Sequence, residues 1–350
     1  MHQQDIRLML DSSTDSSSFE FHTLATAIQT STSQNNNIDF QNIFQFDSLK
    51  YQFINQGKNQ LDNSSSFNGY LKIDRLNFKT NFESADLRLG RQAISWGIGR
   101  FWQPTDVFGA FNANELVRDY KPGIDVLDLN FYPDAFSNIN LVYAFSKNTD
   151  SNLGLRYSRP VGENAYFSVI TAHIENKLIV GGSLESDWQG AGIRIESSFF
   201  PSSDNNHYAM YSVAGFDYQF SSEWLLTSEI YFNTIGANQP SDFKNVITTD
   251  YFQAGLLKQL SQQLFAASLQ KSITPLISIN YLWLNSILSK NKMRSSSLHQ
   301  LSAVYSTGNE SDIRVTLIST TGIKLDNDGI PQSEFGYIPT SLSFSFRIYF

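Results

Sequence analysis

Few residues of this chain are of types that could carry acid–base, nucleophilic or metal chemistry. Cysteine is absent, which excludes disulfide frameworks, thiolate zinc sites and cysteine nucleophiles. Histidine is present, but no histidine stands at strand spacing from an Asp or Ser in a pattern typical of barrel proteases or phospholipases. A cluster of His and carboxylates with metal-ligand spacing is not visible either. We therefore expect no catalytic residue, no metal and no cofactor.

The histidines can still be placed on the predicted elements. His22 and His299 fall in the middle of predicted strands, where they could face a polar interior. His173 and His207 fall at strand ends, and we expect them to be solvated.

Charged residues that alternate with apolar ones form a second candidate set. A side-chain period of two places such charges on one face of a strand and the apolar residues on the other. An arginine facing lipid at mid-bilayer costs about 2–4 kcal/mol, so a spanning strand would turn its charges to a polar interior. The residues assigned in this way to the lining of a pore are Asp86, Arg88, Asp128, Arg194 and Glu196.

The period of two lapses between Ile94 and Gly123, the longest non-strand stretch. We predict that residues 96–123 form a long outer loop that can fold into the interior, since non-strand backbone at membrane depth must be buried in protein or line water. Charges of both signs across a narrow pore would orient dipolar or polyhydroxylated solutes. The alternative is that these charges pair with one another and fix the loop to the barrel wall. They are Arg100, Asp106, Glu115, Arg118, Asp119 and Lys121.

Aromatic residues in the same stretch also have two interpretations. Trp96, Phe101 and Trp102 could form a stacking track for sugars, or they could be the packing core of the loop or part of an interfacial belt.

The last ten residues, SLSFSFRIYF, decide the class of fold. Leu342, Phe344 and Phe346 fall on one face, and serines fall between them on the other. The pattern resembles the C-terminal signal of outer-membrane barrels, a final amphipathic strand that ends on Phe. The resemblance implies that Phe350 is read by the outer-membrane insertion machinery.

Similar patterns upstream predict an all-β fold, a transmembrane antiparallel β-barrel of about eighteen strands (16–18) that forms one domain over residues 1–350. An even strand number is typical of single-chain bacterial barrels, which leaves residues 250–258 in an outer loop, where they fit a short helix capped by Asp250. The predicted strands are 4–10, 18–28, 38–54, 67–79, 84–95, 124–132, 137–145, 152–158, 164–172, 178–186, 189–198, 207–219, 223–232, 262–271, 276–286, 297–306, 311–320 and 340–350.

Composition is consistent with this class. The longest apolar stretch, Pro275 to Leu288, is interrupted by polar residues, so no spanning helix is predicted. The net charge of -8 argues against a nucleic-acid partner. No signal peptide is visible at the N-terminus. We expect a processed or truncated chain in the bacterial outer membrane, with lipid and a small solute as its partners.

Three segments carry a family resemblance: LGRQAISWGIGRFWQPTDVFGAF, YKPGIDVLDLNFYP and SITPLISINYLWL. They resemble the large outer-membrane barrels related to alginate-export and OprD-type porins, and they cover about a third of the chain. The resemblance implies an eighteen-strand monomer that passes polysaccharides or small anionic and aromatic solutes. Acidic residues outnumber basic ones, 33 to 25, which disfavours export of a polyanion such as alginate.

The function expected from the sequence is therefore a pore for small or polyhydroxylated solutes, acting in diffusion or export. A structural or adhesive barrel that acts through its outer loops is the alternative, and a barrel hydrolase ranks last.

Overall fold

The computed structural model describes residues 2–29, 67–109, 121–146, 152–201, 208–290, 295–308, 310–327 and 329–348. Over these residues the chain is almost entirely antiparallel β-structure. Its Cα packing separates two compact units. Unit 1 comprises 1–96, 106–159 and 168–180, and unit 2 comprises 97–105, 160–167 and 181–350.

Seventeen strands lie in the described part of the chain. They are β1 His2–Ser13, β2 Ser17–Gln29, β3 Phe67–Asn81, β4 Ala85–Gln92, β5 Ile124–Phe131, β6 Asn138–Ala144, β7 Asn152–Val161, β8 Ala165–Ile174, β9 Lys177–Trp188, β10 Ala191–Pro201, β11 Tyr208–Gln219, β12 Leu225–Asn233, β13 Gln263–Thr274, β14 Ile277–Ile287, β15 Ser296–Gly308, β16 Ser311–Thr321 and β17 Ser341–Ile348.

Within each unit, consecutive strands pair with one another. In unit 1, β1 to β7 form consecutive antiparallel pairs. In unit 2, β10 to β17 do the same. Connections in unit 2 alternate between short turns, such as 189–190 and 275–276, and long segments, such as 234–262 and 322–340. We refer to these as the short-turn end and the long-connection end of the strands.

The two faces of the strands differ in the way that the period of two predicts. In β10, Ile195 is 50% exposed while Glu196 is 1% exposed. In β17, Phe344 is 72% exposed on the same face as Leu342 and Phe346. We call the side with exposed aliphatic and aromatic residues the apolar face, and the other side the polar face.

All of the predicted strands that fall on described residues are confirmed, with ends that differ by a few residues. The predicted strand 38–54 lies outside the described residues. Gly90 in β4 has a φ of +119°, and a Cβ there would lie 2.2 Å from the carbonyl oxygen of Leu76, so this position requires glycine.

Residues 250–258 form no strand, as predicted, and helical structure occurs around them. A 3₁₀ turn over Pro240–Asp242 leads into α1 Phe243–Ile247, and α2 spans Asp250–Gln253. The expected cap is wrong: the hydroxyl of Thr249 accepts the N–H of Phe252, which makes Thr249 the N-cap and Asp250 the first helical residue. No helix among the described residues is long and apolar enough to cross a membrane.

His299 does not face a polar interior, contrary to expectation. It lies on the apolar face of β15, because its neighbours Leu298 and Gln300 occupy the buried face. Its ring stacks on Trp283 with a centroid distance of 6.3 Å, and its Nδ1 lies 2.7 Å from the hydroxyl of Tyr281. The tyrosine thus supplies a polar partner within an aromatic patch.

Candidate constriction segment

The irregular segment after β4 is held in unit 2 by a buried carboxylate of β10. Glu196 accepts the backbone N–H groups of Ile98 at 2.8 Å and Gly99 at 3.0 Å on Oε2. Its Oε1 accepts the N–H of Thr105 at 2.6 Å and the hydroxyl of the same residue at 2.7 Å. Backbone N–H groups that converge on an anion in this way form a nest, and such charge-assisted bonds are stronger than neutral ones.

A second buried carboxylate, Glu229 of β12, holds the middle of the same segment. It accepts the N–H groups of Arg100, of Phe101 at 2.8 Å and of Trp102 at 3.3 Å. Gly215 of β11 is its register partner. A Cβ at Gly215 would lie 2.4 Å from Glu229 Cγ, so glycine leaves the space that the glutamate side chain fills. Residues 97–105 are therefore fixed mainly through their backbone.

Two glycines allow the segment to turn back on itself. A Cβ at Gly99 would lie 1.8 Å from the carbonyl oxygen of Trp102, and one at Gly97 would lie 2.5 Å from Cβ of Gln103. Neither position has room for a side chain unless the backbone moves. The sequence WGIGR is therefore required for the path that brings consecutive N–H groups toward the carboxylates.

Two arginines share one carboxylate beside the glutamates. Arg194 is buried and donates through Nη1 to Asp217 Oδ2. The Nε atom of Arg100 lies 3.5 Å from the same oxygen, and the Arg100 side chain is 61% exposed. Arg100 thus presents a positive charge to solvent, whereas Arg194 balances the buried carboxylates, its Nε lying 3.9 Å from Glu229 Oε1.

Aromatic side chains of residues 97–105 pack into unit 2. Phe101 and Trp102 are buried. Trp102 lies 5.5 Å from Tyr231 between ring centroids, and Tyr231 in turn contacts Tyr211. A buried ring cannot present its face to a solute, so this geometry favours the packing interpretation of these aromatics over a stacking track.

In unit 1, the flanks of the segment are held by a buried ion pair. Lys121 pairs with Asp106, and its Nζ also donates to the carbonyl of Ile94 and to Ser95 Oγ at 3.1 Å. Asp106 Oδ1 accepts the N–H of Trp96 at 3.4 Å. These two charges satisfy one another and the backbone, which favours the interpretation that they fix the loop.

Trp96 anchors the same flank in unit 1. Its Nε1 donates to Asn140 Oδ1 at 2.7 Å, and its ring meets Phe108 edge-on at 5.1 Å. A Cβ at Gly154 of β7 would lie 2.5 Å from the Trp96 ring, so the glycine accommodates the indole.

Charged side chains of unit 1 also line up across neighbouring strands. Lys79, Arg88 and Asp128 are register partners on β3, β4 and β5. Asp86 receives the Lys79 ammonium at 3.0 Å and the Tyr132 hydroxyl at 2.9 Å. The polar face of this unit therefore carries charges of both signs.

No protein-family model and no curated protein matches this chain. Solved structures do. A BenF-like porin from Pseudomonas fluorescens Pf-5 aligns with a TM-score of 0.53 at 7% identity, over 92% of this chain and 87% of its own. OprD from Pseudomonas aeruginosa aligns with a TM-score of 0.51 at 9% identity, over 98% of this chain and 86% of its own. Wzi of Escherichia coli, a carbohydrate-binding outer-membrane β-barrel, aligns with a TM-score of 0.54 at 11% identity, over 93% of this chain and 76% of its own.

The chain has the outer-membrane β-barrel fold. The resemblance to OprD-type porins is thus confirmed at the level of the fold. Five charged residues of the strands lie on the polar face, in agreement with the alternation: Asp86, Arg88, Asp128, Arg194 and Glu196. Their assignment to a pore lining stays a prediction.

Glu115, Arg118, Asp119 and Phe350 lie outside the described residues of the barrel. Conversely, sequence reasoning missed Glu229 and Asp217. Both stand at polar positions of alternating strands, LLTSEIYFN and YAMYSVAGFDYQ, so the rule that identified Glu196 would have found them.

Proposed function

We propose that this chain is an outer-membrane pore for small or polyhydroxylated solutes, and that residues 96–123 set the width of its constriction. The fold is that of porins, and the exposed apolar face of the strands is suited to lipid. The polar face carries the charges and hydrogen-bonding groups suited to a hydrated lumen.

The observation that carries the proposal is the way in which the protein fixes residues 97–105. Irregular backbone beside a barrel wall must have its N–H groups satisfied by protein or water. Here Glu196 and Glu229 accept the N–H groups of Ile98 to Trp102 and of Thr105. A segment held by this many charge-assisted bonds has the rigidity that a constriction needs.

Ion flow through the purified, refolded chain in a planar bilayer tests this function. We expect stepwise channels whose ion selectivity depends on exposed charge in the segment. Arg100→Glu replaces a solvent-exposed positive charge and should shift the reversal potential in a salt gradient toward cations. Lys290→Glu is the matched control, because Lys290 lies in the connection after β14, away from the segment in sequence. Equal reversal potentials for both variants and the wild type would show that Arg100 does not line the lumen.

A barrel that binds a carbohydrate or partner through its outer connections is the second candidate. Its support is the structured long-connection end of unit 2, where Phe243, Tyr251, Leu257, Leu260 and Phe335 are buried, together with the likeness to Wzi. A well-folded chain that binds glycans but gives neither channels nor solute flux would favour this candidate over a pore.

A barrel hydrolase is the third possibility, and His22 is the remaining candidate residue on the polar side. Its Nε2 lies 2.7 Å from Asp11 Oδ1, on the neighbouring strand. Lipid or peptide turnover that is lost in His22→Ala would establish this activity, and we expect no turnover.

A further inference from the structure

An uncharged row of polar side chains crosses five neighbouring strands of unit 2. Strand register aligns one residue from each of β13 to β17 on the polar face. We call this set the neutral row. It consists of Gln270, Asn280, Ser302, Thr316 and Ser343.

Hydrogen bonds hold four members of the neutral row in place. Ser302 Oγ and Thr316 Oγ1 lie 3.1 Å apart, and Ser343 Oγ donates to the carbonyl of Thr316 at 3.4 Å. Asn280 Nδ2 donates to Ser268 Oγ at 2.8 Å. The row therefore presents preorganised hydroxyl and amide groups rather than freely rotating ones.

The neutral row lies where the packed part of the polar face ends. Toward the long-connection end, the facing residues Leu284 and Leu298 are fully buried. Within the row, Gln270 and Ser343 at its two ends are exposed, whereas Ser302 and Thr316 are only 8% and 9% exposed. The row is thus the border between apolar packing and solvent on these strands.

Gln300 supplies a second and independent feature at this border. It is 8% exposed, and its Nε2 donates to Ser302 Oγ at 3.1 Å. Its Oε1 has no hydrogen-bond partner among the described residues. A buried acceptor without a partner costs free energy, and a donor brought by a ligand would relieve that cost.

We infer that the neutral row and Gln300 form a binding subsite for an uncharged polyhydroxylated solute, such as a neutral oligosaccharide. The inference rests on the proposed pore and names its substrate class. Sugar hydroxyls both donate and accept, which matches a surface of amides and hydroxyls. Charged side chains begin only in the next row toward the short-turn end, at Arg314, so the subsite itself offers no cation to an anionic solute.

Blockade of single-channel current by raffinose, a neutral trisaccharide, tests the inference on the full chain in a planar bilayer. Gln300→Leu removes the acceptor, and Thr316→Val removes a hydroxyl with little change of shape. Each should weaken raffinose binding about threefold to tenfold, the loss expected for one hydrogen bond. Neither substitution alters a charge, and blockade is measured as the fraction of each variant's own open-channel current.

Ser319→Ala is the matched control, since Ser319 is an exposed hydroxyl on the opposite face of β16 from Thr316. It should bind raffinose like the wild type. Blockade by gluconate, an anion, should be the same in all variants. A conducting channel whose raffinose blockade is equal in all variants overturns the inference alone. A wild-type chain that conducts no ions overturns the proposed function and the inference with it.

Discussion

Glu196 and Glu229 are buried carboxylates, and such groups are tolerated only when their charge is compensated. Most of the compensation comes from the backbone of residues 98–105. Removing the charge should therefore release the segment rather than unfold the strands, because β10 and β12 keep their own pairing.

Glu196→Gln replaces an acceptor-only side chain with one that carries an NH₂ group. Half of the hydrogen bonds from Ile98, Gly99 and Thr105 would then be lost, because their donors would meet the NH₂ group. We expect this loss to destabilise the bound segment by about 3 kcal/mol. We expect faster hydrogen exchange at these three amides. Glu185→Gln, an exposed glutamate of β9, should leave them unchanged. Undiminished protection in Glu196→Gln would show that the carboxylate is not the anchor.

Glu334 gives the connection 322–340 a pH-dependent contact. It accepts the N–H of Ser261 at 2.6 Å and of Leu260 at 3.3 Å. Burial raises the pKa of Glu334 from its ordinary value of 4.5 to about 7, with the backbone hydrogen bonds acting in the opposite direction. Because the folded-state pKa is the higher one, its contribution to stability is full below 4.5 and is lost as the pH rises through about 7.

We therefore expect the amides of Leu260 and Ser261 to be better protected at pH 5 than at pH 8, after correction for intrinsic exchange rates. Glu334→Gln should remove this difference, since the amide does not titrate. If the pH dependence of protection persists in Glu334→Gln, a group other than Glu334 causes it.

At the scale of elements, the strands were predictable because successive side chains alternate between an apolar face and a polar face. The contacts that hold residues 97–105 were not predictable in this way. The alternation of apolar and polar residues along β10 assigned Glu196 to the polar side. Its partners, however, lie about a hundred positions earlier in the sequence, at Ile98 and Gly99. Only the register of the folded sheet brings them together. The cap at Thr249 was missed for a local reason, since a Thr one residue before the Asp competes for the same role.

Gly99 tests the path of the segment itself. Gly99→Ala would place a Cβ 1.8 Å from the carbonyl oxygen of Trp102, so the backbone must move and the bonds to Glu196 must weaken. We expect proteases to cleave the segment faster in this variant. Gly192→Ala is the control, because a Cβ at that position has no atom closer than 3.7 Å. Equal cleavage of both variants would contradict the described path.

At the scale of the whole molecule, the fold was predicted from the final strand and the recurring alternation, and solved porins confirm it despite identities of 7% to 9%. Such low identity is expected because most strand positions require only that the side chain be apolar or that it be polar. The solute could not be predicted in the same way, because it depends on which side chains the register places together, as in the neutral row.

We propose that residues 96–123 narrow a conducting pore. The most direct measurement is the single-channel conductance of the wild type and of a variant in which residues 96–121 are replaced by a short Gly/Ser linker. We predict discrete channels for both and a conductance at least about twofold higher for the variant, because the narrowest section limits ion flow. Equal conductance, with the variant correctly folded, would contradict the constriction, and a wild type without channels would contradict the pore.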